Sequence, residues 1–124
     1  MSPRSFLPIH AVSMRLVAAC AALAITLGCG GAAGPLEPEP VATTTVNILS
    51  KTFDPPSIKV AAGATVTFNN QDTFNHNITF ADTTITSVAN FAASTRTAVM
   101  PTTPGTYTYT CTRHSGMIGT IRVE

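Results

Sequence analysis

The chain has 124 residues, a formal net charge of +1 and only 10% charged side chains. That is the size of one domain, without the basic patch that nucleic acid requires or the acidic run that a basic partner would read. Its three cysteines, Cys20, Cys29 and Cys111, build no disulfide framework, because the first two lie in or beside an apolar leader and leave Cys111 a solitary thiol.

Residues 1–28 read as an export signal. Arg4 and Arg15 supply its positive charge, and Leu16 to Leu27 is an apolar run of the right length for a signal and too short to span a bilayer. Met14 immediately precedes Arg15, so translation from Met14 would leave the signal intact. The run ends Thr26-Leu-Gly-Cys29-Gly, which resembles a bacterial lipobox and makes Cys29 the candidate lipidation site. Thr26 departs from the aliphatic residue usual there, and cleavage after Gly31-Ala-Ala33 is the alternative. Either route delivers the chain to the periplasmic or outer-surface face of a bacterial envelope, with a lipid at Cys29 as the expected membrane attachment. Residues 29–41, rich in Gly and Pro, read as a flexible tether, and residues 42–124 as the folded domain.

From Thr43 the pattern is that of strands. Thr43 to Leu49 alternates, Phe53-Asp-Pro-Pro-Ser57 punctuates, and Ile58 to Val60 resumes before a turn at Ala61-Ala-Gly-Ala64. In Thr65 to Asn70 the apolar Val66 and Phe68 share one face; in His76 to Phe80 the imidazole begins the row that continues with Ile78 and Phe80. A short strand is expected over Thr84 to Val88, a loop around Asn90-Phe91, and another strand over Thr95 to Val99. Thr106 to Cys111 places Tyr107, Tyr109 and Cys111 on one face, and Gly119 to Val123 closes the chain. Seven or eight short strands punctuated by turns predict an all-β Greek-key β-sandwich. Met100 belongs to its core, and Tyr107 and Tyr109 pack there with hydroxyls expected to find partners at the rim.

Chemistry gathers in the last loop, where Cys111, His114 and Met117 recur at three-residue spacing. A lone buried Cys is usually a small hydrophobe and a lone Met usually core filler. Their company changes that reading, since only two histidines follow the leader and one of them falls between this Cys and this Met. Thiolate and thioether are soft ligands, and with imidazole they select copper over calcium, magnesium or manganese. Zinc is the rival, but a structural zinc wants a fourth strong ligand and a catalytic one an open position and a base, neither of which Met supplies. No Ser-His-acid order, paired carboxylates or glycine-rich phosphate loop is visible, so no enzyme activity is expected.

At this point the residues resemble the small cupredoxins, the plastocyanin and amicyanin group. The likeness runs through Phe53-Asp-Pro-Pro-Ser-Ile-Lys-Val60, Thr65-Val-Thr-Phe-Asn-Asn70, Asn75-His76-Asn77 and Gly105-Thr-Tyr-Thr-Tyr-Thr-Cys111 on to Met117. It implies one copper ion, cycling between Cu(I) and Cu(II), held by His76, Cys111, His114 and Met117, with the Asn77 side chain bracing the Cys loop. The loop spacing is similar to the short amicyanin type. Asn75 and Ser115 stand where relatives often have Pro. The resemblance further implies a monomeric one-electron carrier whose redox protein partners dock around His114, with Ala62, Gly63, Phe74 and Gly116 as candidates for the surrounding patch. Arg113 is unusual in such a rim, and either a raised potential or a preference for an anionic partner surface is expected from it. A periplasmic copper carrier or copper-resistance protein would present the same residues and stays open as the alternative.

Overall fold

The structure, a computed structural model, describes residues 37–124. The leader, the alternative start at Met14, the lipidation site Cys29 and most of the tether lie outside the described residues.

Ten short strands form two sheets. Six of them, β1 (Val41–Ala42), β4 (Ser57–Val60), β10 (Ile118–Val123), β9 (Gly105–Thr110), β6 (His76–Phe80) and β7 (Val88–Phe91), lie side by side in that order. The other sheet runs β3 (Thr52–Asp54), β2 (Thr45–Leu49), β5 (Thr65–Asn70) and β8 (Ser94–Val99). Parallel pairings of β1 and β10 with β4, and of β2 with β5, mark the chain crossing between sheets, and the other neighbours are antiparallel. The expected sandwich is present. The count rises from seven or eight to ten because β1 and β3 are only two and three residues long, too short to show a period of their own.

The core follows from alternation. Val46 and Ile48 of β2, Val66 and Phe68 of β5, Ile78 and Phe80 of β6, and Ile121 and Val123 of β10 are all buried, with less buried residues between them. Four aromatic rings stitch the sheets together: Tyr109 meets Phe53, Phe68 and Phe80 at centroid distances of 4.8, 5.3 and 5.8 Å, all edge-on or tilted. Met100 is buried, as expected.

Two expectations are corrected. The segment Thr84 to Val88 is not a strand: Asp82 Oδ1 accepts from the Thr84 amide and hydroxyl at 2.9 and 2.6 Å, and the Asp82 carbonyl accepts from the Ile85 amide, so a local turn takes up the backbone. The strand is Val88–Phe91, through the expected Asn90-Phe91 loop, because Val88 and Phe91 register against Ile78 and His76 and Phe91 is buried. Phe53, read as punctuation, lies in β3. A two-residue turn at Ser50 and Lys51, with φ of 53° and 60°, folds β3 back onto β2. Positive φ at both central residues is the hairpin geometry that usually recruits Asn-Gly, so Ser-Lys gave no warning of it.

Candidate metal centre

The centre forms where β9 ends and β6 begins. β9 delivers Cys111 at the foot of a tight loop closed on itself by three backbone bonds: the Cys111 amide donates to the Met117 carbonyl at 3.0 Å, His114 to Cys111 at 3.4 Å, and Met117 to His114 at 3.3 Å. Gly116, at φ 81°, takes the left-handed conformation that lets the loop turn back. Beside β9 in the sheet lies β6, whose first residue is His76; its inward face is set by the alternation that buries Ile78 and Phe80.

The structure brings together three of the four candidate ligands, the two imidazoles and the thiol. His76 Nδ1 lies 3.7 Å and His114 Nδ1 3.6 Å from Cys111 Sγ, and one donor atom from each of the three lies within 4.8 Å of the others. Ligands about 2.0–2.3 Å from one first-row ion sit at comparable mutual separations, so the set fits a single ion. His76 and Cys111 are buried, and His114 is partly exposed, its ring centroid 4.6 Å from that of His76. Met117 is buried at the loop's closing position. Among the described residues no carboxylate joins the donor cluster. Two imidazoles, one thiol and a nearby thioether suit copper better than zinc, which would want a fourth strong ligand.

Asn77, next along β6, faces the Cys loop. Its Nδ2 donates to Thr112 Oγ1 at 2.7 Å and its Oδ1 accepts from the Thr112 amide at 2.9 Å, with a longer bond to Asn90 Oδ1 at 3.3 Å. The Asn75 and Ser115 substitutions remove no ligand.

One residue of the site escaped the sequence reading. Asp72, buried, accepts a 2.8 Å bond from His76 Nε2 on Oδ2, together with the amides of Ser50 (2.8 Å, on Oδ1) and Lys51 (3.1 Å, on Oδ2). Burial pushes the Asp72 carboxyl up, but the Lys51 and Ser50 amides and the His76 ring outweigh it and hold the group below its ordinary range. The available signal was an acid four residues ahead of His76, weak on its own in a run of Asn and Gln. His114 is shifted down, first by partial loss of water and then by its neighbours His76, Lys51 and Arg113, with Asp72 opposing. That favours the neutral ring, the form with a lone pair for a metal.

The rim also differs from expectation. Phe74 is half exposed, with its ring 6.4 Å from His114 and the Lys51 ammonium 5.6 Å from its centroid. Ile118 is exposed beside Gly116 and Met117. Ala62 and Gly63, however, turn at the far end of the sandwich: Ala62 donates to the Glu124 carbonyl and Gly63 to that of Pro101, whereas the metal loop adjoins Ile118 at the opposite end of β10. Six strand residues at about 3.3 Å each separate them.

Comparison with known proteins agrees with this geometry. The cupredoxin-like domain family matches residues 17–123. The chain is 34% identical over 119 residues to amicyanin-alpha of Methylorubrum extorquens, covering 90% of this chain and 100% of that protein. It is 32% identical over 105 residues to a plastocyanin of Prochlorothrix hollandica, covering 72% and 80% of the two chains, and 37% identical over 84 residues to a plastocyanin of Scenedesmus fuscus, covering 58% and 86%. Among solved structures, a reduced single-residue mutant of amicyanin superposes with a TM-score of 0.58 at 28% identity, over 67% of this chain and 82% of that one. A reduced Cu(I) amicyanin mutant gives 0.59 at 27% identity, over 71% and 87%.

Proposed function

The chain belongs to the cupredoxin-like family, as a small type 1 copper protein, and from that premise we propose that it is an exported one-electron carrier whose single copper is held by His76, Cys111, His114 and Met117. The observation that carries the reading is the convergence of two imidazole Nδ1 atoms on one buried thiol, 3.6 and 3.7 Å away. Copper supplies the one-electron chemistry by alternating between Cu(II) and Cu(I).

The residues divide the remaining work. Cys111 gives up its proton to become the strong thiolate ligand. His76, sealed inside the sandwich, keeps water from that side. His114, partly exposed, is the port through which a docked redox partner exchanges the electron. Met117 closes the loop as a weak ligand that holds neither oxidation state tightly. Asn77, bonded twice to Thr112, braces the Cys loop from the neighbouring strand, so the ligand positions persist through each change of charge. Phe74, Gly116 and Ile118 supply apolar contact for a partner around His114, and Lys51 and Arg113 give that contact a cationic edge. Export rests on the apolar leader, and recovery of the chain from the cytoplasm alone on cell fractionation would remove it.

The test separates a carrier of electrons from a carrier of copper. Electron self-exchange is read by nuclear magnetic resonance line broadening in mixtures of the Cu(I) and Cu(II) forms, and copper retention by challenge with a Cu(I) chelator. Rapid exchange with retained copper is expected. Slow exchange with rapid surrender of Cu(I) would instead identify a copper carrier.

A further inference from the structure

The turn between β2 and β3 and the first histidine of β6 are far apart in sequence, yet one carboxylate serves both. Asp72 Oδ1 accepts from the Ser50 amide, and Oδ2 accepts from the Lys51 amide and from His76 Nε2. Ser50 and Lys51 both hold positive φ, a conformation that neither residue type favours. Asp72 is itself fixed: its amide donates to Asn70 Oδ1 at 2.9 Å, its carbonyl accepts from the Ala93 amide at 3.0 Å, and Asn70 Nδ2 reaches the Phe91 and Phe74 carbonyls at 2.7 and 3.2 Å. The carboxylate is thus built into the scaffold rather than draped over it.

Three N–H donors converge on this group, so it has only acceptor work to do. Accepting from Nε2 places the His76 proton there and leaves the Nδ1 lone pair directed toward Cys111, 3.7 Å away. We infer that Asp72 is a positioning residue that fixes His76 as a metal-ready ring, ties that ring to the Ser50-Lys51 turn at the rim, and biases the centre toward its more positive oxidation state. The bias follows from placing a buried negative charge on the far side of a ligand, where it stabilises Cu(II) more than Cu(I) and lowers the potential. The inference rests on the copper reading for its redox part only.

Asn cannot replace this group. With one oxygen and one NH2 it must set a donor against at least one of the three converging N–H groups. The experiment has two arms. In the metal-free wild-type chain, nitrogen-15 resonances of His76 should show the proton on Nε2, and the Ser50 and Lys51 amides should exchange slowly with solvent. In copper-loaded Asp72→Asn, affinity for Cu(II) relative to Cu(I) should fall about tenfold or more, which raises the potential by about 59 mV per tenfold for a one-electron couple. The same two amides should exchange faster. Asp72→Glu, which keeps the charge, should recover most of the lost ratio.

A proton on Nδ1 in the metal-free chain would overturn the inference. So would an Asp72→Asn potential equal to that of the wild type while the copper spectrum is retained. If the wild type itself shows no thiolate-copper spectrum, the copper reading fails, and the His76 proton position together with the amide exchange still decides the positioning role. If Asp72→Asn does not fold, the wild-type proton position and the Asp72→Glu ratio decide it.

Discussion

Tyr109 is the one side chain in the described core with a polar atom left over. Its ring is fully buried against Phe53, Phe68 and Phe80, but its hydroxyl has no partner, whereas the Tyr107 hydroxyl donates to the Thr103 carbonyl at 2.8 Å. The expectation that both phenols would find partners therefore fails for Tyr109. The reason is its cross-strand neighbour Gly119, which leaves room for the ring to lean over β10, where an added Cβ would collide with it. Burial pushes the Tyr109 phenol well up, so it stays neutral and un-ionised throughout the working range. An unsatisfied buried hydroxyl costs on the order of 1–3 kcal/mol. Tyr109→Phe should accordingly stabilise the domain by about 1 kcal/mol in urea or thermal unfolding, and a clear loss of stability would contradict the absence of a partner. Residue-level chemistry was otherwise legible where it depends on type and local spacing. Cys111, His114 and Met117 advertise themselves within seven residues, while Asp72 does not, because what makes it functional is amides 21 and 22 residues away.

At the scale of elements, alternation located most strands and misplaced one. The β-branched run Thr84 to Val88 looks more like a strand than Val-Ala-Asn-Phe91, but a side chain-to-backbone turn at Asp82 and pairing with β6 decide otherwise. Loops present a different difficulty. Ala62 and Gly63 read as neighbours of His114 only while the end of the sandwich to which each loop belongs is unknown; the β10 register puts them at the far end and puts Lys51 at the near one. The rim is therefore Phe74, Gly116 and Ile118 with the cations Lys51 and Arg113. Among the described residues other charges pair elsewhere, as in the Arg122 contacts with Glu39 and Glu124 at 3.3 and 2.7 Å. Two cations beside His114 should speed encounter with an anion, and salt should screen that effect. In oxidation of the reduced protein by hexacyanoferrate(III), Lys51→Ala and Arg113→Ala should each slow the reaction by roughly a few-fold at low salt and flatten its salt dependence. Equal rates and slopes in all three proteins would show that the two cations do not steer an anionic partner.

The described domain is a small sandwich with one consequential end. Ten short strands bring β6 and β9 side by side so that His76 and Cys111, thirty-five residues apart, meet with their side chains buried. A domain this small has a limited core, and binding a metal to the native state alone should add to its stability in proportion to the logarithm of metal concentration over the dissociation constant. The proposed electron transfer depends on Cys111 and the two imidazoles holding copper together. The most direct test is addition of Cu(II) to the metal-free protein, followed by visible absorption and electron paramagnetic resonance, with Cys111→Ser alongside. One copper per chain and an intense thiolate-to-copper band that is missing from Cys111→Ser are expected; no such band in the wild type, or its survival in Cys111→Ser, would rule out a copper–thiolate centre.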